Sequence, residues 1–277
     1  MRRPHGPASP WPSCRPRRSG RPPGSCCGWP RSWWPSAAGS CSTAASCRCR
    51  ATSLRGWSWP PPFLRGATAF YHSPGPFEPE ESAAFRRYHL TPPLPEWDQE
   101  RTARWLALFQ PATLTICTLH ETYPGHHAHE LHLRHAPSRI ATALWNEVLG
   151  EGWAHYCEEA AFEAGFHAGD PEAEVAMRTD ALVRAARLLC AVGMHTQDMS
   201  LDEATREFEV TAGLDRDHAR LEAVRGTWDP GYFGYTLGKL EILDLRERVG
   251  GDPAAFHDRL LALGTPPPAI AARRLLS

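Results

Sequence analysis

The chain has 277 residues, of which 42% are hydrophobic, and a formal net charge of −1 at pH 7. This length and composition are sufficient for one domain of ordinary size with a buried core. No apolar run reaches 18 residues, which excludes a membrane span, and we expect no nucleic-acid partner.

Residues 1–62 differ in composition from the rest of the chain. Eleven Arg and six of the nine Cys lie before Phe77, and no Asp or Glu precedes Glu78. This Arg-, Pro- and Cys-rich segment has low complexity and neither helical nor strand periodicity. It is interpreted as off-frame translation of a GC-rich gene, as a disordered tail, or as a basic arm for nucleic acid or membrane. The first interpretation is favoured, and we expect no folded structure in these residues.

The same segment bears on localisation. No continuous hydrophobic stretch typical of a signal peptide follows the first arginines. The chain as given is therefore expected in the cytoplasm. A secreted or periplasmic location is the alternative if the true start of the protein lies elsewhere.

Residues 63–277 are expected to form a mainly helical domain with a small strand element. The run from Thr68 to Tyr71 and the run from Phe85 to Leu90 predict two short strands. A strand beside an active-site helix can pair with an extended peptide backbone. It can equally be a structural hairpin that covers the helices, and both interpretations stay open.

Apolar residues at helical spacing predict the remaining elements. Asp98 is an expected N-cap, and Ser200 with Glu203 is an expected capping box. The predicted helices span about residues 98–110, 112–120, 139–166, 172–195, 200–212, 215–225, 237–249 and 253–263.

The helix predicted over residues 112–120 ends in a block of metal-binding residue types. This block has the sequence HETYPGHH, from His120 to His127. Its beginning matches H-E-x-x-H, in which two histidines one helical turn apart bind zinc and the glutamate acts as general base. Pro124 stands where the second histidine would be. A Pro-Gly pair must bulge or break the helix at this point.

Two histidines compete for the place of the second ligand. The break can turn His126 back towards His120, because the residue after the glycine is the one that a bulge re-aims. His127 lies seven residues after His120, which also returns it to the same helix face. We favour His126 and keep His127 as the alternative, or as a residue behind the ligands.

A carboxylate is expected to complete the site, since catalytic zinc takes three ligands from His and carboxylate side chains. Glu147 and Glu151 lie four residues apart on one helix face. Either can meet the metal while the other orients a histidine. The glycines on both sides of Glu151 allow a close approach of helices and favour Glu151 as the ligand. Glu158 and Glu159 are expected to be ordinary acidic surface.

Three blocks together resemble a known bacterial family. They are H-E-x-x-P-G-H-H, E-G-W-A-x-Y from Glu151 to Tyr156, and the segment from Pro230 to Gly238. They look like the family catalogued as domain of unknown function 885, which is regarded as zincin-like and similar to the Taq-type helical metallocarboxypeptidases. The resemblance covers about residues 63–277, and it implies that they are the C-terminal part of a longer family domain with a zincin-like helical fold.

The resemblance also implies roles for single residues. His120, His126 and Glu151 would bind Zn²⁺, and Glu121 would be the general base. Tyr235 matches a tyrosine of the family and is the candidate donor to the oxyanion.

Three further positions are weaker candidates near this site. Tyr232 is less favoured than Tyr235 as the oxyanion donor. Arg187 is a candidate for binding a substrate carboxylate or for a structural ion pair. Gly193-Met194-His195 matches a Gly-x-His of the family, although Ala191 replaces a frequent aspartate there.

The sequence therefore predicts a zinc-dependent hydrolase, with a peptide or a small amide as its substrate. In this interpretation Glu121 takes a proton from water that the metal activates. Two alternatives remain: a metal-dependent amidase or esterase acting on small substrates, and an inactive or truncated helical scaffold of the same family.

Overall fold

The computed structural model describes residues 57–58, 69–79 and 86–277, and the statements below concern these residues. The expectation for residues 1–56 and 59–62 lies outside them. Trp57–Ser58 forms a short strand, which corrects the expectation that the first 62 residues contain no secondary structure.

Three short strands form a small sheet in the order β1-β3-β2. They are β1 (Trp57–Ser58), β2 (Ala69–His72) and β3 (Arg87–Leu90). β1 pairs with β3 in parallel, and β2 pairs with β3 antiparallel, with Tyr71 opposite Tyr88. The two predicted strands are confirmed to within two residues, and β1 was not predicted.

Eleven α-helices follow in the described part of the chain, which confirms a mainly helical fold. They are α1 (Gln99–Ala107), α2 (Pro111–Glu121), α3 (His126–Leu133), α4 (Arg139–Ala143), α5 (Glu147–Glu163), α6 (Pro171–Thr196), α7 (Leu201–Thr211), α8 (Arg216–Trp228), α9 (Gly234–Val249), α10 (Pro253–Leu261) and α11 (Pro268–Leu275). A 3₁₀ turn at Pro230–Phe233 precedes α9. None of the described helices is both long and apolar enough to cross a bilayer.

Local signals in the sequence set several helix boundaries correctly. The Asp98 side chain accepts the backbone N–H of Arg101 at the start of α1. Ser200 and Glu203 form the predicted capping box before α7. These side chains satisfy backbone donors that the first helical turn leaves unpaired.

The single helix predicted over residues 139–166 is wrong, because the chain forms α4 and α5 with a break between them. Leu144 is extended, and the Asn146 side chain caps α5 by accepting the N–H of Leu149. Trp145 forms an isolated bridge with Thr265. A distant backbone partner and a local cap therefore compete with helix continuation. The last helix, α11, was missed because the prolines at its start looked like an irregular end, although proline is suited to the first helical turn.

α5 is the central element of the fold. Its buried side chains Trp153 and Tyr156 share a core with residues of α9, α10 and α11. α5 and α9 cross at Gly152 and Gly238, where a Cβ on Gly152 would lie 2.4 Å from the Gly238 backbone. Only glycine allows the two backbones this close. A second core joins α6, α7 and α8, and a smaller one lies between α2, α5 and α6.

Candidate metal centre

The predicted helix break lies between α2 and α3. The Gly125 N–H donates to the Leu119 carbonyl at 3.0 Å, and a Cβ on Gly125 would lie 1.8 Å from the His120 carbonyl oxygen. The chain therefore folds tightly against the end of α2, and only glycine fits at this contact. The carbonyl of Pro124 accepts the Trp153 indole N–H at 3.0 Å, which ties the break to α5.

The break brings His126 back beside His120, and α5 adds Glu151. Glu151 Oε2 lies 3.4 Å from His120 Nε2 and 3.3 Å from His126 Nε2. The two imidazole rings are perpendicular, with centroids 4.8 Å apart. In the described part of the chain, these three residues form the one group of His, Cys or acidic side chains whose ligand atoms all lie within 4.8 Å of one another.

This spacing fits a zinc ion. Ligand atoms about 2.0–2.2 Å from a tetrahedral zinc are separated from one another by roughly 3.3–3.6 Å. Glu151 Oε2 is also a buried oxygen that meets no hydrogen-bond donor at good geometry. A buried carboxylate oxygen without a partner is costly unless a cation balances it. The donor set of two imidazoles and one carboxylate is the one that catalytic zinc uses.

The electrostatics of the group also favour a positive charge. Burial lowers the pKa of His120, but its interactions with the Glu151 and Glu158 carboxylates outweigh burial and raise the pKa to about 9. Burial raises the pKa of Glu151, but His126 and His120 outweigh it and hold the pKa well below its ordinary value. The cluster without metal thus keeps a proton next to a carboxylate, where a metal cation would take the proton's place.

Glu158 holds His120 from behind. Its Oε1 accepts the His120 Nδ1–H at 2.7 Å, so that Nε2 is left to face Glu151. Arg184 and His155 also contact the Glu158 carboxylate, at 3.0 Å and 3.1 Å. Glu158 is only 1% exposed, which corrects the expectation that it is ordinary surface. A carboxylate behind a histidine ligand fixes the tautomer and the orientation of the ring.

Glu147 does not have the orienting role considered for it. Its Oε2 accepts the indole N–H of Trp145 at 2.6 Å, and its side chain lies at the start of α5, where it is exposed. The glutamate that contacts His120 is Glu158, two turns after Glu151, and not Glu147, one turn before it.

His127 points away from the group of three. It is buried, and its Nδ1 lies 2.8 Å from the Tyr71 hydroxyl on β2. Burial lowers the pKa of His127 to about 4, so the ring is neutral at physiological pH. The geometry thus brings His126, and not His127, next to His120 and Glu151.

Glu121 lies next to His120 at the end of α2 and faces the sheet. Its Oε2 accepts the backbone N–H of Tyr71 at 2.7 Å. β2 is an edge strand, so this carboxylate occupies a backbone donor on the outer edge of the sheet. The candidate general base and the strand edge are therefore in direct contact.

Tyr235 lies beside the group of three. Its ring is nearly parallel to that of His120, with centroids 6.0 Å apart, and its hydroxyl accepts a hydrogen bond from Arg225 at 3.4 Å. Burial raises the pKa of Tyr235 to about 12, so its hydroxyl keeps its proton at neutral pH. Tyr232 is instead buried in the second core.

Arg187 and His195 make contacts that connect α6 with α8. Arg187 forms a two-pronged ion pair with Glu222, at 2.7 Å and 2.8 Å. His195 Nε2 lies 2.8 Å from the Gly226 carbonyl oxygen. The structure thus favours the ion-pair interpretation of Arg187, and it places His195 at the exposed end of α6.

Sequence reasoning missed Glu158 and Tyr71. Glu158 lies seven residues after Glu151, a spacing that returns to the same helix face, and this signal was available. Tyr71 had no comparable signal. Its contacts with Glu121 and His127 join residues 50 and 56 positions apart.

Comparison with known proteins gives one matching family and similar solved structures. A family model described as a bacterial protein of unknown function (DUF885) matches residues 60–275. No curated protein matches the chain. A solved structure from Colwellia psychrerythraea, described as a "putative lipoprotein", is similar with a TM-score of 0.67 and 26% identity, over 80% of this chain and 37% of that chain.

A second solved structure gives a similar result. It comes from Shewanella oneidensis, is described as a "putative lipoprotein of unknown function", and has a TM-score of 0.70 and 24% identity. The match covers 82% of this chain and 41% of that chain, so the chain spans well under half the length of both solved structures. Because the family model matches nearly all of the described residues, the chain belongs to the bacterial family DUF885.

Proposed function

We propose that the chain is a zinc-dependent hydrolase with a zincin-like helical fold, similar to the Taq-type helical metallocarboxypeptidases, and that it cleaves peptide bonds. One observation carries this proposal: two imidazole nitrogens lie 3.3–3.4 Å from a buried carboxylate oxygen that lacks a hydrogen bond. The carboxylate of Glu158 behind His120 supports the same conclusion, because histidine ligands of zinc are commonly oriented in this way.

The residues have distinct roles in this proposal. His120, His126 and Glu151 would hold the zinc, which would supply a Lewis acid to polarise water and the substrate carbonyl. Glu158 fixes the orientation of the His120 ring. Glu121 takes the proton of the attacking water and then passes it to the leaving amine.

The position of Glu121 is compatible with a base that reaches both water and substrate. It follows His120 directly in the chain, and one of its oxygens is held by the Tyr71 N–H at 2.7 Å. A backbone donor fixes the side chain without supplying a proton that competes at neutral pH. The other oxygen is then the one that can accept a proton.

Tyr235 is the proposed donor to the oxyanion. Its ring lies next to that of His120, and its hydroxyl accepts a hydrogen bond from Arg225. A hydroxyl that accepts from an arginine is polarised and keeps its own proton to donate. A preorganised donor of this kind stabilises the charge that develops on the carbonyl oxygen.

Metal analysis combined with two variants tests the proposal. The purified chain should bind about one zinc, and Glu151→Gln should lose it, since an amide is a poor zinc ligand. Glu121→Gln should retain zinc and lose activity by about 10²-fold or more. Glu241→Gln is the matched control, because Glu241 is an exposed glutamate on α9. Failure of the chain to bind zinc would favour an inactive scaffold.

A panel of substrates separates peptidase activity from the second candidate function. Peptides, small amides and esters are compared with the same zinc-loaded protein. Turnover of peptides supports a metallopeptidase. Turnover confined to small amides or esters supports the alternative of a metal-dependent amidase or esterase.

We also propose a location outside the cytoplasm. The Colwellia psychrerythraea structure, which is described as a "putative lipoprotein", shares 26% identity with this chain. This likeness favours a secreted or periplasmic location over the cytoplasmic one expected from the sequence. Fractionation of cells that express the gene from its own upstream sequence tests this, and recovery in the cytoplasmic fraction would contradict it.

A further inference from the structure

One residue of the sheet bonds to both sides of the helix break. The backbone N–H of Tyr71 donates to Glu121 Oε2 at 2.7 Å, at the end of α2. The hydroxyl of the same residue lies 2.8 Å from His127 Nδ1, in the first turn of α3. Glu121 follows His120, and His127 follows His126. Tyr71 therefore contacts the immediate neighbour of each histidine in the group of three.

The Tyr71 hydroxyl has a single proton, and this determines which of its contacts it donates and which it accepts. The oxygen also lies 3.3 Å from Glu130 Oε2, and a carboxylate can only accept a hydrogen bond. The single hydroxyl proton therefore goes to Glu130. His127 then donates its Nδ1–H to the Tyr71 oxygen.

Tyr71 is itself held firmly in place. β2 pairs with β3 along its whole length. Glu130, the acceptor of its hydroxyl, receives hydrogen bonds from Arg86 at 2.9 Å and from Arg134 at 2.8 Å. Arg134 also donates to the carbonyls of Gly75 and Glu78 in the turn after β2. The strand and its following turn are thus anchored to α3 through a buried charged cluster.

The break itself is short, and the Gly125 N–H holds it against the end of α2. α2 and α3 are joined by only four residues between Glu121 and His126. Their relative position sets the separation between the rings of His120 and His126, which must be held within a few tenths of an ångström to share one ion. A residue that bonds to both helices can supply this restraint.

We infer that Tyr71 is a positioning residue that braces α2 against α3, and so fixes His120, His126 and Glu121 relative to one another. The inference rests on the proposed metal function, and it adds a residue from outside the motif. Tyr71 acts through Glu121 and His127, and it does not touch the metal.

Tyr71→Phe tests the brace, because it removes the hydroxyl contacts with His127 and Glu130 and leaves the backbone N–H in place. Tyr88→Phe is the matched control, since Tyr88 lies directly opposite Tyr71 on β3. Zinc affinity is measured by competition with a chelator, and the absorption spectrum of bound Co²⁺ reports the ligand geometry. Both measurements are independent of catalytic activity.

We expect Tyr71→Phe to bind zinc about 10- to 100-fold more weakly than Tyr88→Phe, as is typical when a residue behind the ligands is lost. The Co²⁺ spectrum should also change. A double-mutant cycle with His127→Leu should be strongly non-additive, because both changes break the same contact. For a detectable peptide substrate, kcat should fall more than KM rises.

The outcomes separate the brace from the proposed function. A wild-type chain that binds no zinc overturns the proposed function and, with it, the brace. Zinc binding by the wild type, with Tyr71→Phe and Tyr88→Phe equal in affinity and in Co²⁺ spectrum, overturns the brace alone. A loss of thermal stability in Tyr71→Phe without a change in affinity has the same meaning, since it shows a role only in stability.

Discussion

Nδ1 of His120 lies 2.7 Å from Oε1 of Glu158, a buried carboxylate seven residues after Glu151 on the same helix. The imidazole is therefore held from one side by Glu158 while its other nitrogen faces Glu151. Glu158 also pairs with Arg184 on α6 at 3.0 Å, so it links that helix to the candidate metal centre.

Glu158→Gln should weaken zinc binding by about 10- to 100-fold, because a neutral amide orients His120 less strongly than a carboxylate. Competition with a chelator measures the change. The neighbouring Glu159→Gln is the matched control and should keep its zinc affinity, since Glu159 is paired with Lys239 on α9. Equal affinity in the two variants would contradict the orienting role of Glu158.

Gly125→Ala should prevent the turn between α2 and α3 from closing. The added Cβ would lie 1.8 Å from the His120 carbonyl oxygen, so the backbone must shift at a cost of at least about 3 kcal/mol. Urea unfolding measures this cost, and zinc binding should fall with it. Gly231→Ala is the control, because its nearest atom beyond its chain neighbours lies 3.8 Å away. A Gly125→Ala chain as stable as the control would refute the close contact.

Much of the fold follows from local patterns in the sequence. Apolar spacing and the caps at Asp98 and Ser200 located most helices, and the Pro-Gly pair located the break after Glu121. The separation of α4 from α5 was not predictable in this way. It depends on the pairing of Trp145 with Thr265, which joins residues far apart in the chain.

In the candidate site, too, some features follow from local sequence and others depend on distant contacts. Residue type and spacing were enough to predict that His120, His126 and Glu151 lie in one group. The structure places their ligand atoms within 4.8 Å of one another. Glu158 was assigned, with Glu159, to the ordinary acidic surface of its helix. Its burial depends on Arg184, which lies on another helix, and sequence periodicity contains no information on that contact.

Tyr235→Phe should lower kcat by about 10²-fold if its hydroxyl donates to the oxyanion. The KM should change little, because the ring that packs beside His120 is retained. Steady-state kinetics with a zinc-loaded chain measures both constants. Tyr232→Phe is a useful comparison, since Tyr232 is buried in the core between α6 and α8. A fall in KM and kcat alike, or no change in kcat, would argue against the oxyanion role.

Arg187→Leu should destabilise the chain by about 3–5 kcal/mol, because it leaves Glu222 as an unpaired, mostly buried charge. Chemical denaturation measures this loss. Adding Glu222→Leu should restore much of the stability, since the unpaired charge is then removed. Arg206→Leu, at an exposed position on α7, should stay within about 0.5 kcal/mol of the parent chain. A stable Arg187→Leu chain with weakened substrate binding would favour a substrate role instead.

The stability of the chain should fall as the pH drops from about 6.5 to 4, in part because of His257. Burial lowers the pKa of His257 to about 4, so the folded chain holds this ring neutral while the unfolded chain protonates it near its ordinary value. Since the unfolded state then binds more protons, stability decreases with falling pH, by on the order of 3 kcal/mol over this interval.

Urea unfolding at several pH values measures the effect. His257→Gln should be less stable near pH 7, because the contact with the Tyr156 hydroxyl at 2.8 Å is altered, and it should lose less stability on acidification. His135→Gln, which removes an exposed histidine, should keep the parent pH dependence. An unchanged pH dependence in His257→Gln would rule out this assignment.

The crossing of α5 and α9 at Gly152 and Gly238 leaves no side chain between the two backbones. Glu151 precedes one of these glycines, and Tyr235 lies three residues before the other. Glu151, the proposed ligand, and Tyr235, the proposed donor, thus lie on two helices whose backbones are in direct contact. A side chain at either glycine would push the two helices apart and so separate Glu151 from Tyr235.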